Sequence, residues 1–113
     1  DQEWAMVCRH PSSTLAKAAP KSVIACSSGG AAKQYGHPFA KPALLWSAIF
    51  SAVTTKGQTI FDPFMGRGSS IIPALRLGLI PHGMELQEEH FNGALLNIQA
   101  EYRDLYGSKV QFS

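Results

Sequence analysis

The spacing of apolar residues predicts two long helices in the second half of the chain. Nearly every position from Ala43 to Thr54 is apolar, which predicts a helix buried on more than one face, with Pro42 in its first turn. From Glu88 to Tyr106, apolar residues recur every three or four positions, which is typical of a helix packed on a sheet. The residues of that face are Phe91, Ala94, Leu95, Ile98, Tyr102 and Leu105.

Two strands and a short helix are predicted between these long helices. The apolar runs at 58–61 and 79–86 contain β-branched or aromatic residues and end in turn-forming sequence, so we expect each to form a strand. A helix is predicted over 70–77. If Ser70 is its cap, Pro73 takes the third helical position and costs no intrahelical hydrogen bond.

The remaining segments complete an α/β pattern. The runs at 4–9 and 22–26 predict two further strands, and 110–112 is predicted to begin another. The stretch 27–36 is rich in Gly, Ser and Ala, which favours a flexible loop, more a linker than a lid. We therefore expect one α/β domain over residues 1–113: two strands, then helix, strand, helix, strand, helix.

Composition places the chain among small cytoplasmic proteins. With 113 residues it holds at most one small domain, and a formal charge of +2 permits nucleic-acid contact without arguing for it. Two cysteines are too few for a disulfide framework, so we expect reduced thiols. The longest apolar stretch, 43–53, is interrupted by serines and is too short to span a membrane, so no membrane association is expected.

The strongest chemical signal is the segment Phe61–Ser70, with the sequence FDPFMGRGSS. It reads as a strand end, a tight glycine loop and a helix start, and in an open α/β sheet a nucleotide-like ligand binds at that place. Gly66 and Gly68 remove side chains where a ligand approaches the backbone. Amides near Ser69 and Ser70 would then point at the ligand, which in a dinucleotide fold is a phosphate.

Two further motifs accompany this loop. His37-Pro38-Phe39-Ala40-Lys41-Pro42 lies upstream, and Glu85 follows Asp62 by 23 positions. Leu77-Gly78 lies between the glycine loop and Glu85. Together these motifs resemble those of the amino-methylating DNA methyltransferases, which act on adenine N6 or cytosine N4. It is most similar to the subgroup whose catalytic motif precedes the cofactor motif. The resemblance covers about residues 37–96, and Ser69 and Ser70 stand where that family usually has threonines.

The resemblance implies a partial Rossmann-like sheet with flanking helices that binds S-adenosylmethionine. Asp62 would accept a hydrogen bond from the cofactor's ammonium group, and Glu85 would bind the ribose hydroxyls. Phe64 would flank the adenine or the methionine chain. Lys41, in the segment that folds over the amino-acid end, would be available to the cofactor carboxylate. The full predicted cofactor-binding set is His37, Pro38, Lys41, Asp62, Pro63, Phe64, Gly66, Gly68, Ser69, Ser70 and Glu85.

Several of these residues have a purely structural alternative. Asp62 before a proline can simply cap a turn, and Glu85 can be an ordinary carboxylate at a strand end. For His37, a structural role and ligand contact are equally compatible with the sequence. Arg67 replaces the small residue common at its position; it could reach solvent, a carboxylate or nucleic acid, and the interpretation we favour is solvent.

Other chemistry is not indicated. Zinc is not expected, because the histidines do not cluster with cysteines at metal-ligand spacing; these are His10, His82 and His90. The large aromatic residues Trp4, Trp46 and Phe50 are predicted to belong to the core and not to stack on bases.

The chain departs from the family in one respect that concerns catalysis. These enzymes orient the target amine with an Asp/Asn/Ser-Pro-Pro-aromatic motif, whereas all seven prolines here are isolated. No catalytic residue is therefore predicted. We expect the cofactor-binding C-terminal part of a DNA methyltransferase that is inactive alone. A missing segment or a complementing subunit is expected to complete it and to contact DNA.

Two alternatives stay open at this point. The first is a catalytically inactive methyltransferase remnant acting as a small binding module, with exposed sheet edges that promote homodimer formation. The second is an unrelated Rossmann-type nucleotide binder, against which the Asp-Pro-Phe and Lys-Pro motifs both argue.

Overall fold

The structure is a computed structural model that describes Cys8, residues 11–12, Lys41 and residues 43–107. Its elements are α1 (Ala43–Val53), β1 (Thr59–Asp62), α2 (Ile71–Arg76), β2 (Ile80–Gly83) and α3 (Glu88–Tyr106). The strands predicted at 4–9, 22–26 and 110–112 and the loop at 27–36 lie outside the described residues, apart from Cys8, which is exposed and not in a disulfide.

The two strands form a parallel pair joined through α2, which is the β–α–β unit of an α/β fold. Their register aligns Thr59 with Ile80 and Asp62 with Gly83. The ladder is bounded by two backbone bonds, from Ile80 N to Gln58 O and from Met84 N to Asp62 O, both 2.9 Å. The backbone N–H groups of successive strand residues point to opposite edges of the strand. The N–H of Ile80 points to β1, so the nitrogen of Pro81 faces away from β1, and its missing hydrogen costs no hydrogen bond in this pair.

The core consists of two apolar clusters that both contact Ile60 of β1. Phe50, Ala74 and Leu79 form the first, with Trp46 packed against it and stacked on Phe50 at a ring-centroid distance of 5.6 Å. Met65, Ile71 and Ala94 form the second. Ile60 of β1 packs against both clusters, so the strand holds the helices together from its centre. The prediction that Trp46 and Phe50 belong to the core is confirmed.

Most of the predicted element bounds agree with the structure to within one residue. The last helix has the predicted bounds, α1 ends one residue early, and β1 begins and ends one residue later than predicted. Helix α2 begins after Ser70, has Pro73 as its third residue, and ends at Arg76 and not at Leu77. The second strand is shorter than predicted, since pairing ends at Gly83 and not at Leu86. The physical reason is that the chain turns here: Glu85 Oε2 accepts from the Gln87 N–H at 3.0 Å, directly before α3.

The two long helices differ in how far they are covered. In α1, Phe50 and Ala52 are buried although two positions apart, and hence on nearly opposite sides, so burial on more than one face is confirmed there. In α3, Ala94 is fully buried, but Phe91 and Leu95 remain 38% and 41% exposed. The apolar face of α3 that was predicted to pack on the sheet is therefore only partly covered.

The uncovered part of that face borders a groove. Phe91, Leu95 and Tyr102 of α3 line a cavity of about 520 Å³ together with Ile80 and Pro81 of β2. The sheet has only two strands in the described part of the chain, and no strand of that part pairs with the other edge of β2. No helix among residues 43–107 is long and apolar enough to cross a bilayer.

Candidate functional site

The glycine loop between β1 and α2 forms a tight turn that requires its two glycines. Gly66 and Gly68 have φ values of 56° and 90°, in the left-handed region that other residues rarely adopt. The Gly68 N–H donates to Met65 O at 2.9 Å, and the Gly68 carbonyl accepts from the Ile72 N–H at 3.1 Å, so the loop leads directly into the first turn of α2.

Asp62 joins the end of β1 to the start of α2. Its Oδ1 accepts from the Phe64 N–H at 2.9 Å, and its Oδ2 accepts from the Ser70 hydroxyl at 2.5 Å. The turn-capping role considered from the sequence is therefore present. A carboxylate has about four lone-pair sites, so these two bonds leave Asp62 able to accept from a bound cation as well.

Ser70 has a different role from the one its position suggested. It occupies the N-cap of α2, but its side chain makes no capping hydrogen bond. Its hydroxyl instead donates to Asp62, and the residue is only 1% exposed. Ser70 therefore fixes the carboxylate of Asp62, while Ser69 lies half-buried beside it.

Glu85 lies beyond the same edge of the sheet as Asp62. The register pairs Asp62 with Gly83, so the chain reaches Glu85 just past the carboxyl end of β2. Carboxyl ends of parallel strands are where ligands bind in open α/β sheets. Glu85 is half-buried, and its Oε2 accepts from the Gln87 N–H. The two strands thus place one carboxylate each at this edge.

Two large apolar side chains stand in solvent beside these carboxylates. Phe64 is 87% exposed and Leu86 is 98% exposed. Because both side chains are exposed, both are available to a ligand or another polypeptide. Leu86 was missed in the sequence-based prediction, although its position directly after the acidic residue at a strand end was a usable signal.

The remaining predicted site residues are not all placed at this edge. Lys41 is half-buried just before α1, and Pro63 is exposed next to Asp62. His37 and Pro38 lie outside the described residues. The roles of all four toward a ligand stay predictions.

Arg67 does not extend into solvent, so the interpretation favoured from the sequence is wrong. Its Nε donates to His90 Nδ1 at 3.2 Å, and its Nη2 lies 3.5 Å from Glu89 Oε1. The side chain is 23% exposed. The physical reason is a space on α3: a Cβ on Gly93 would lie 2.9 Å from Arg67 Cδ, so only glycine lets the side chain lie there.

The face of α3 toward the loop includes polar residues that apolar spacing could not predict. Asn97 Nδ2 donates to the Arg67 carbonyl at 3.0 Å, and His90 accepts from the same residue's side chain. Glycine in the middle of a helix costs about 1 kcal/mol relative to alanine. Gly93 was therefore a usable signal that a neighbouring group approaches the helix closely.

The chemical character of the site follows from these parts. Backbone amides of a glycine loop suit an anionic group. Two carboxylates suit an ammonium group and hydroxyls. Exposed apolar side chains suit a planar ring or an aliphatic chain. No group of three His, Cys, Asp or Glu residues that could hold a metal ion occurs in the part of the chain that the structure describes.

Comparison with known proteins agrees with this character. A family model described as "DNA methylase" (N6_N4_Mtase) matches residues 8–96. The type II methyltransferase M2.DpnII of Streptococcus pneumoniae is 37% identical over 65 residues, which are 58% of this chain and 24% of that protein. The tRNA (guanine(10)-N2)-dimethyltransferase of Pyrococcus abyssi is 35% identical over 65 residues, covering 55% of this chain and 20% of that protein. The chain thus spans about a quarter or less of the length of the curated relatives it matches.

Solved structures give the same fold. The M1.HpyAVI–SAM complex superposes with a TM-score of 0.52 at 31% identity, over 54% of this chain and 31% of that one. The cytosine-N4-specific PvuII DNA methyltransferase has a TM-score of 0.50 at 19% identity, over 75% of this chain and 35% of that one, and shows the fold alone.

The expected partial Rossmann-like α/β fold is confirmed by these superpositions. The alternative of an unrelated Rossmann-type nucleotide binder is wrong. Because the family model matches well over half of the 113 residues, the chain belongs to the DNA methylase family of adenine-N6 and cytosine-N4 methyltransferases.

Proposed function

We propose that this chain binds S-adenosylmethionine at the carboxyl edge of its two strands and serves as the cofactor-binding part of a DNA amino-methyltransferase. The observation that carries the proposal is the arrangement of Asp62 and Glu85. Each follows one of two adjacent parallel strands, and the glycine loop follows the first of them. The likeness to a methyltransferase solved as a SAM complex supports the proposal.

The residues present fit the cofactor's chemical groups. The ammonium group of its methionine part would donate hydrogen bonds to Asp62. The oxygens of this carboxylate keep unused lone pairs after accepting from the Phe64 N–H and the Ser70 hydroxyl. The methionine carboxylate would face the amides near Ser69 and Ser70, where the loop enters α2. When bound, the cofactor supplies an electrophilic methyl group on a sulfonium.

The nucleoside end would be held beyond β2. Glu85 has one oxygen bonded to the Gln87 N–H, and the other is available to the two ribose hydroxyls. Phe64 and Leu86, both largely exposed, would cover the adenine or the methionine chain from the sides. Burial of their apolar surface contributes to affinity at roughly 25 cal/mol per Å².

The substrate is proposed to be an amino group of DNA, because the family model is one of DNA methylases. Enzymes that modify a base must take it out of the stack, which requires contacts to the flanking strand. No Pro-Pro pair occurs in these 113 residues. We therefore infer that the group orienting the target amine comes from another segment or a complementing subunit, and that residues 1–113 alone do not transfer methyl groups.

A second candidate is an inactive remnant of such an enzyme that acts as an interaction module. The apolar groove lined by α3 and β2 favours it, because apolar residues beside a strand edge that no described strand pairs with promote association with a second copy. This alternative predicts a homodimer and no cofactor binding.

The two candidates are separated by calorimetric titration of the chain with S-adenosylmethionine. Asp62→Asn keeps the Oδ1 acceptor for the Phe64 N–H but removes the charge, and it should weaken binding by about 10- to 150-fold, as expected for a hydrogen bond to a charged group. Asp104→Asn changes an exposed carboxylate of α3 and is the matched control. A folded wild-type chain that takes up no cofactor would support the remnant, and an Asp62→Asn chain that binds normally would refute the assigned role.

A further inference from the structure

We propose that Arg67 is a positioning residue for the glycine loop, and that it acts by fixing the loop to α3. The inference rests on the proposed cofactor site. The contacts that carry it are those of Arg67 with His90, Gly93 and Asn97, which we call the Arg67 clamp. Arg67 lies between Gly66 and Gly68, at the point of the loop where the backbone is otherwise least restricted.

The clamp fixes both the side chain and the backbone of Arg67. On one side, Nε donates to His90 Nδ1 at 3.2 Å. On the other, the Arg67 carbonyl accepts from Asn97 Nδ2 at 3.0 Å. A bond to the carbonyl restrains the peptide plane between Arg67 and Gly68 from one side, while the Gly68 N–H holds it from the other by donating to Met65 O. Two attachments to one helix therefore orient a loop that contains two glycines.

Gly93 makes the clamp possible. A Cβ at this position would come within 2.9 Å of both Cδ and Nε of Arg67. Since the guanidinium end of an arginine is flexible, the added methyl would displace the side chain rather than disrupt α3. At Gly93, a single added carbon atom should therefore release the side-chain part of the clamp, while α3 and the Asn97 bond to the Arg67 carbonyl stay in place.

The clamp also connects the two halves of the proposed site. Asp62 and the loop follow β1, whereas Glu85 follows β2 and lies just before α3. By attaching the loop to the first turns of α3, Arg67 fixes the loop relative to the helix that continues from Glu85. The ion pair with Glu89 adds little, because that carboxylate is 83% exposed and the N–O distance is 3.5 Å. A loop held in its binding geometry before the ligand arrives loses less entropy on binding.

The test is a double-variant cycle that measures the dissociation constant for S-adenosylmethionine and the unfolding temperature of each protein. Gly93→Ala should raise the dissociation constant about fivefold or more. Its unfolding temperature should not fall, because alanine is the better helix former. Arg67→Ala should weaken binding similarly, and the double variant should bind no worse than Arg67→Ala alone. Asn92→Ala, an exposed neighbour on α3, is the matched control.

His90 provides a conservative rescue. His90→Asn offers an amide oxygen near the position of Nδ1 and should bind the cofactor like the wild type, whereas His90→Ala should resemble Arg67→Ala. Wild-type affinity in Gly93→Ala would overturn the clamp, as would effects of Gly93→Ala and Arg67→Ala that multiply in the double variant. A folded wild-type chain that does not bind the cofactor would instead overturn the proposed function on which the clamp rests.

Discussion

Replacing Ser70 by alanine should destabilise the fold through one hydrogen bond. The Ser70 hydroxyl donates to Asp62 Oδ2 at 2.5 Å, and the serine is 1% exposed. The substitution removes this donor and leaves Asp62 with the Phe64 N–H as its described partner. It removes no helix cap, because the Ser70 side chain makes no capping bond to α2.

The size of the effect follows from the charge and burial of this pair. A hydrogen bond to a charged group contributes about 1.5–3 kcal/mol to stability. Asp62 is only half-buried, so water can replace part of the lost interaction. We therefore expect the free energy of unfolding to fall by about 2 kcal/mol, near the lower end of that range.

Urea unfolding followed by far-ultraviolet circular dichroism measures this difference. Ser69→Ala is the matched control, because Ser69 is adjacent and half-buried but has no hydrogen bond from its hydroxyl in the part of the chain that is described. It should change the free energy of unfolding by less than about 0.5 kcal/mol. Equal and small losses in the two variants would refute the structural role assigned to the Ser70–Asp62 bond.

Three further substitutions test other contacts of the fold by the same measurement. Gly83→Ala places a methyl group against the buried Met65 and should cost about 1–3 kcal/mol; a neutral result would mean that the packing of Met65 on β2 is incorrect. Gly78→Ala should cost about 1–2 kcal/mol, because Gly78 has a φ of 73°, and an unchanged urea midpoint would argue against this turn. For Arg76 and Glu101, joined at 2.5 and 3.0 Å, a double-mutant cycle should give a coupling of about 0.5–1 kcal/mol, and additive losses would show that the pair does not form in solution.

The helices and the glycine loop could be predicted from the sequence because their signals are local. The bounds of α3 follow from its apolar spacing and from Gly107, which has the positive φ of a helix end. The turn conformation of Gly66 and Gly68 follows in the same way from the freedom that glycine alone has. Each of these elements is determined by residues within a few positions of it.

The contacts made by Arg67 could not be predicted, because they join residues more than 20 positions apart. The sequence shows an arginine between two glycines, and only the packed structure brings α3 beside it. The end of β2 was also misjudged, since Met84 to Leu86 are as compatible with a strand as with a turn. A bond from Gln87 to the Glu85 side chain decides between them.

The coverage of α3 shows a related difficulty. Apolar spacing identifies which face of a helix is apolar, but not which element covers it. Leu95 has the expected position and is still 41% exposed beside the groove. In contrast, Asp62 and Glu85 were assigned to one cofactor from the family resemblance, and the parallel pairing places both just past the carboxyl ends of their strands.

The most direct test of the central claim is an amide NMR titration of the chain with S-adenosylmethionine. The account predicts that the largest saturable shifts occur at Gly66, Gly68 and Ser69 of the loop and at Glu85 and Leu86 beyond β2. Shifts confined to α3 residues that line the groove, or no shifts at saturating cofactor in a folded chain, would contradict a cofactor site at the carboxyl edge of the sheet.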